Sequence, residues 1–287
     1  MHFKNDPNVK VQSFFGLAES FDNSITDKWG RAKIFIDKLL DKKITLEYSH
    51  IIIDEGQDFE EEWLSALASS IKGKFFVYYD KSQMVHRESK DLPQWLRDAE
   101  CRLVLKNNCR NTKQIAMTAN SFIRIEDLKF KNEINGREPI WIECEDDKDF
   151  LQNTLSIIKE KISKENILPD QIIIATTISM ENSYLGELNS INGITVSRER
   201  NNKQILKTTI RKFKGLEADI LLLVDVDFYE INSEVWRKLL YTACSRAKHE
   251  LYILSRKITV LNIEGHNYSP KEARKYIKNT FHLNRVE

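Results

Sequence analysis

Residues 51–58, Ile-Ile-Ile-Asp-Glu-Gly-Gln-Asp, place two adjacent carboxylates at the end of a short apolar run, with a Gln and an Asp just beyond. Such a pair suits a hydrolytic site that holds Mg²⁺ with one carboxylate, Asp54, and directs an attacking water with the other, Glu55. Three β-branched residues in a row predict a parallel strand buried on both faces, and such strands deliver polar residues at their carboxyl ends, where ligands bind. Carboxylates also follow apolar runs at ordinary strand-to-loop exits, so the rest of the chain must discriminate.

The elements around this pair alternate between strand and helix. After the strand Ile51 to Asp54, the residues Trp63, Leu64, Leu67, Ala68 and Ile71 recur at helical spacing, and Phe75 to Tyr79 reads as a second strand. A strand near Arg102 to Leu105 and a helix from about Thr112 to Ile123 follow. Asn135-Gly136-Arg137-Glu138-Pro139 is a turn cluster, and it sets the expected boundary between domains at 1–135 and 136–287. The second half reads as strand Ile140 to Cys144, helix Lys148 to Lys164, strands Ile172 to Thr176, Ile205 to Thr209 and Ile220 to Val224, helix Glu234 to Ala243, and strand Leu251 to Leu254. Ser269-Pro270-Lys271-Glu272 is a capping box with Pro at the first helical position, predicting a last helix to about Thr280. Strands separated by helical stretches imply parallel α/β sheets.

Composition excludes some classes. The 287 residues are 41% hydrophobic, enough for two domains with real cores. No apolar run approaches the roughly 20 residues of a membrane span and no signal-peptide pattern opens the chain, so a cytoplasmic protein with no membrane partner is expected. The four cysteines lack CxxC spacing, which argues for reduced thiols over a zinc site or a disulfide framework. With 44 basic and 43 acidic residues, any nucleic-acid contact must come from a local basic surface.

Taken in order, the motifs resemble those of superfamily 1 DNA helicases of the UvrD/Rep type. Ile51 to Phe59 looks like motif II. Tyr79-Asp80-Lys81-Ser82-Gln83-Met84-Val85-His86 resembles motif III, and Leu105 to Thr112 resembles motif IV, with Cys109 where Tyr is usual and Asn111 where Ser is usual. Thr209-Ile210-Arg211-Lys212-Phe213-Lys214-Gly215-Leu216-Glu217 matches motif V with Arg211 for the common His. Leu240 to Ala247 matches motif VI with Ser245 for the usual Thr. Val9 to Leu17 is similar to the segment preceding motif II in that family. Ordered matches across residues 9–254 are far more specific than any single one. The short spacers resemble compact helicase modules of nuclease-related-domain proteins, although no nuclease carboxylate cluster is present.

The resemblance implies two RecA-like parallel-sheet domains, ATP and Mg²⁺ as ligands, and DNA, single-stranded, as partner. Asp54, Glu55, Gln83, Arg110 and Arg246 would be catalytic, with Asp54 on the metal. Gln57, Gly215 and Glu217 would meet the nucleotide. Arg110 and Arg246 come from opposite halves of the chain, so their grip on phosphate would couple nucleotide state to domain closure. On the DNA side, His86 and Arg87 would form a stacking platform. Seven basic residues between Arg198 and Lys214, including Lys207, Arg211, Lys212 and Lys214, could track phosphates. The plainer readings are a solvated basic face, a turn-capping Asp80, a surface Arg110 and a Gln57 bonded to local backbone. Trp63, Trp95, Trp141 and Trp236 read as core or domain-interface packing.

One expected motif is absent. None of the nine glycines begins a GxxxxGK[ST] phosphate cradle, and the only Gly-Lys pair, Gly73-Lys74, is followed by Phe75. The first domain is therefore expected to lack its Walker A strand and loop. An upstream segment or a partner protein would supply them, or the chain is a non-catalytic helicase-like module that binds DNA or a protein partner.

Overall fold

The computed structural model describes residues 6–21, 24, 27–80, 94–98, 103, 107–123, 129–130, 134–213 and 215–286. The chain divides into two compact units, residues 1–101 and 102–287. The second begins ahead of the turn cluster at 135–139, because the helix Lys113–Ile123 packs on elements of the carboxyl-terminal half.

In the first unit, helices α1 (Phe14–Phe21) and α2 (Lys28–Leu40) precede strand β1 (Ile51–Ile53), helix α3 (Glu61–Ser69), strand β2 (Phe75–Val77) and the short helix α4 (Gln94–Arg97). The Asp27 carboxylate opens α2 by accepting from the Trp29 and Gly30 amides. Strands β1 and β2 pair in parallel, Ile51 opposite Phe75 through Ile53 opposite Val77. One core forms from Leu17, Phe35, Ile36, Leu39, Ile53, Trp63, Leu64 and Leu67, and the Phe14 ring stacks on Trp63 at 4.5 Å.

The other face of this pair is open. Ile52, Phe76 and Tyr78 are 66%, 46% and 57% exposed. This corrects the expectation of a strand buried on both faces, for the helical layer covers only the side to which Ile53 points. The contrast predicts different mutational costs. Ile53→Ala is expected to lose about 2–5 kcal/mol of stability, whereas Ile52→Ala should stay within about 0.5 kcal/mol, as read by denaturant unfolding.

The second unit contains strands β3 (Asn107–Asn108) and β4 (Lys129–Phe130), which pair in parallel, and helix α5 (Lys113–Ile123) between them. Its main sheet is built from β5 (Ile140–Cys144), β6 (Ile172–Thr176), β7 (Ser190–Ile191), β8 (Ile194–Ser197), β9 (Ile205–Thr209), β10 (Ala218–Val226), β11 (Ala247–Arg256) and β14 (Asn284–Val286). The order is β14-β5-β11-β10-β6-β9-β8-β7, parallel throughout except for the β7–β8 hairpin. Helices α6 (Asp147–Glu165), α7 (Ile210–Phe213), α8 (Glu234–Cys244) and α9 (Pro270–Thr280), with the hairpin β12 (Leu261–Ile263) and β13 (His266–Tyr268), complete the unit.

Successive residues Ile172, Ile173, Ile174 and Ala175 are all at most 1% exposed, as a strand covered on both faces requires. One cluster joins Phe150 and Ile158 of α6 to Ile174, Leu222 and Leu254. The alternate residues Ile173, Leu221 and Ile253 are buried on the other side, where α7 meets β6 and α5 and α8 meet β11. Burial of each such side chain contributes roughly 1.5–3 kcal/mol. The expected box at the last helix forms, with the Glu272 carboxylate accepting from both the Ser269 amide and hydroxyl. The expected strand Arg102 to Leu105 falls almost wholly outside the described residues.

Candidate functional site

In the first unit, Asp54 and Glu55 follow directly on β1. The exposed Asp54 carboxylate accepts from the Glu55 amide through Oδ1 at 2.9 Å. Glu55 takes a left-handed backbone, φ 54°, and starts the 3-10 turn Gly56–Asp58. Such a conformation is uncommon for a residue with a side chain and breaks the strand at this point. Gly56 sits so close to β2 that a Cβ there would lie 2.2 Å from a Val77 methyl, and its amide donates to Tyr78 O at 2.8 Å.

Gln57 is 7% exposed and bonded at both ends of its amide. Nε2 donates to Glu55 Oε2 at 2.6 Å, and Oε1 accepts from the Asp80 amide at 3.0 Å. It therefore ties the carboxylate pair to the segment resembling motif III. An exposed carboxylate at a strand end is a hard oxygen donor, so Asp54 fits Mg²⁺. Among the described residues, no three His, Cys, Asp or Glu side chains gather into a metal cluster. Gln83, His86, Arg87 and Lys214 lie outside the described residues.

In the second unit, three separate stretches of sequence meet. Chain geometry explains how: β10 begins just after Glu217, β11 begins just after Arg246, and the two strands are neighbours, with the Ala218 amide donating to Arg246 O at 3.1 Å. Arg110 Nε donates to Glu217 Oε1 at 2.6 Å, and Lys248 Nζ meets Glu217 Oε2 at 3.0 Å. Asn111, 2% exposed, donates through Nδ2 to Ser245 O at 2.9 Å and to Ala247 O. The Thr112 amide donates to Lys248 O at 3.1 Å, and Arg246 Nη1 to Leu216 O at 3.4 Å. Gly215 carries φ +85°, a turn that places Leu216 and Glu217 between α7 and β10.

Glu217 is held below the usual carboxylate range, chiefly by its hydrogen bond from Lys248 and then by the charges of Arg110 and Lys248. Its contribution to stability is thus present above the ordinary carboxylate pKa and lost as pH falls through the lowered value. Glu217→Gln should therefore be less stable than the native chain near neutrality, with a gap in Tm that closes below about pH 4.5. Glu217 is partly exposed, so the gap should be small.

Several expectations change. Arg110 and Arg246, which come from opposite halves of the chain, both fall within the 102–287 unit. Lys207 is 2% exposed, and its ammonium donates to the carbonyls of Leu185, Gly186 and Leu188 and to Asn189 Oδ1, because β9 runs inside the sheet. It is therefore withdrawn from the basic phosphate-tracking set, while Arg211 and Lys212 remain exposed on α7. Trp63, Trp141 and Trp236 are buried as expected, whereas Trp95 is 41% exposed and donates to Ser65 Oγ. Cys144 and Cys244 are buried free thiols.

Lys248 and the bridging role of Asn111 escaped the sequence reading. The position of Lys248 two residues after Arg246, at the start of a strand, was the available signal.

Residues 205–254 match the family model described as the UvrD-like helicase C-terminal domain. The chain is helicase-like over that span. The matched span runs from the start of β9 through most of β11 and so contains Gly215, Glu217, Arg246 and Lys248. A solved structure, the C-terminal domain of a possible DNA helicase from Lactobacillus plantarum WCFS1, is 22% identical to this chain. It aligns over 62% of this chain and 98% of its own, with a TM-score of 0.42. No curated protein matches the chain. Among the described residues, no helix is long and apolar enough to cross a membrane.

Proposed function

We propose that this helicase-like chain carries motifs II to VI of a superfamily 1 DNA helicase, whose complete form couples ATP hydrolysis to translocation on, or unwinding of, DNA. The observation that supports this reading best is the joining of the segments resembling motifs IV, V and VI through Arg110–Glu217, Asn111–Ser245 and Arg246–Leu216. Such a cluster sets the positions of two guanidinium groups before any nucleotide arrives, and phosphoryl transfer depends mostly on positioning and charge neutralisation.

In this reading, Glu55 orients the attacking water and takes up its proton, while Gln57 holds the Glu55 carboxylate through the 2.6 Å bond. Asp54 would hold Mg²⁺, which when bound supplies charge neutralisation at the β- and γ-phosphates. Arg110, Arg246 and Gln83 act on the γ-phosphate, and Glu217 meets the sugar with Gly215 beside it. His86 and Arg87, with Arg211, Lys212 and Lys214, contact single-stranded DNA.

The missing phosphate cradle would come from an upstream segment or a companion protein. The open face of Ile52, Phe76 and Tyr78 supports that part of the reading, since parallel sheets bury both faces. The alternative is a non-catalytic module that binds DNA or a protein. ATP hydrolysis assayed with and without single-stranded DNA separates the two. A DNA-stimulated rate lost in Glu55→Gln and Arg246→Ala supports the motor. DNA binding indifferent to nucleotide supports the alternative.

A further inference from the structure

The carboxyl edge of the large sheet holds a second constellation, outside the segments that resemble the helicase motifs. Strands β6 and β10 are neighbours, but the chain leaves β6 toward β7, β8 and β9 on one side and leaves β10 toward β11 on the other. In open parallel sheets, the crevice outside two strands whose connections diverge in this way is where ligands bind. Asp225 stands at that point, at the end of β10. It interrupts the register with β11 between Leu223 and Val226 and takes a left-handed backbone, φ 57°, which is strained for a residue with a side chain.

Its side chain is 2% exposed. Oδ2 accepts from Thr176 Oγ1 and from Ser183 Oγ, each at 2.6 Å, and the Asp225 carbonyl accepts from Thr177 Oγ1 at 2.5 Å. Oδ1 is buried with no hydrogen-bond partner among the described residues. No ion pair to Asp225 forms among the described residues; burial pushes its carboxyl above the usual range, which the charge of Arg256 reaches without offsetting, and Lys207 spends its ammonium on the loop that carries Ser183. A carboxylate buried with one oxygen bare is costly unless something positive or donating meets it.

We propose that Asp225, Thr176, Thr177 and Ser183 form a binding site for a monovalent alkali cation at the β6–β10 switch point. The donor chemistry selects the occupant. Every available ligand atom is a hard oxygen, which suits alkali and alkaline-earth ions over transition metals. A single carboxylate beside hydroxyls whose protons are already committed to Asp225 carries one negative charge, matching Na⁺ or K⁺ better than a divalent ion. Binding would complete the coordination of Oδ1 and lock the loop carrying Ser183 onto the sheet.

The test is thermal unfolding of the full chain at pH 8 and fixed ionic strength in sodium, potassium or choline chloride. The native chain should melt about 3 °C or more higher in Na⁺ or K⁺ than in choline, and the better of the two identifies the ion. Asp225→Asn, which keeps shape and removes charge, should abolish that difference. Ser183→Ala, which keeps the charge and removes one hydroxyl, should narrow it and serves if the first variant does not fold. Equal melting in all three salts, which would leave water or a proton at Oδ1, overturns the proposal. A difference that persists undiminished in both variants also overturns it.

Discussion

Arg246→Ala is expected to lower ATP hydrolysis by the complete motor about 10³–10⁵-fold, the range for an arginine that stabilises charge on a transferring phosphoryl group. The guanidinium is planar, permanently charged and geometrically matched to phosphate oxygens, so lysine should restore little of the loss. Arg246 is only 4% exposed and donates to Leu216 O, so its removal also disturbs the start of β10. Unfolding curves must therefore accompany the kinetics. A variant whose Tm falls by a few degrees while its rate falls by three decades has lost chemistry, because instability of that size leaves the native fraction near one. Loss of rate in proportion to loss of folded protein would instead assign Arg246 to structure.

Glu55→Gln is expected to lower the same rate about 10²–10⁴-fold, the usual contribution of a positioned general base. The substitution preserves size and hydrogen-bonding reach, and the left-handed backbone at residue 55 is unaffected by the side-chain change. Gln57 currently donates to the Glu55 carboxylate, and an amide can still accept that bond. Affinity for nucleotide should consequently persist in the variant, with the loss confined to kcat. A matching loss of binding would mean that Glu55 holds the nucleotide, not the water.

The sequence shows some of this architecture clearly and other parts not at all. Strand Ile172–Thr176 and helix Asp147–Glu165 are legible because an unbroken β-branched run and a long helical period each have one physical solution. The last helix is legible because Ser269, Pro270 and Glu272 carry their capping chemistry locally. The β7–β8 and β12–β13 hairpins are not, for strands of two to four residues are too short to show an alternating pattern.

The same division runs through the candidate site. Motif spacing points to Arg110, Glu217 and Arg246, and the structure brings all three into one unit. Asn111 looks like a departure from the motif in sequence, yet its amide reaches Ser245 O, 134 residues away. Lys207 misleads in the opposite direction. A lysine in a basic stretch suggests solvent, and only the fold reveals that carbonyls of the loop after β6 enclose its ammonium. Ile52 misleads likewise, since an apolar run does not reveal whether a second layer is present to cover it.

The most direct test of the motor account is ATP turnover by the protein isolated from its native cells with any companion it retains, assayed with and without single-stranded DNA. DNA-stimulated hydrolysis is expected, and Glu55→Gln and Arg246→Ala should each abolish it while the proteins stay folded. Hydrolysis unaffected by either substitution, or DNA binding with no nucleotide turnover in the native complex, would contradict it.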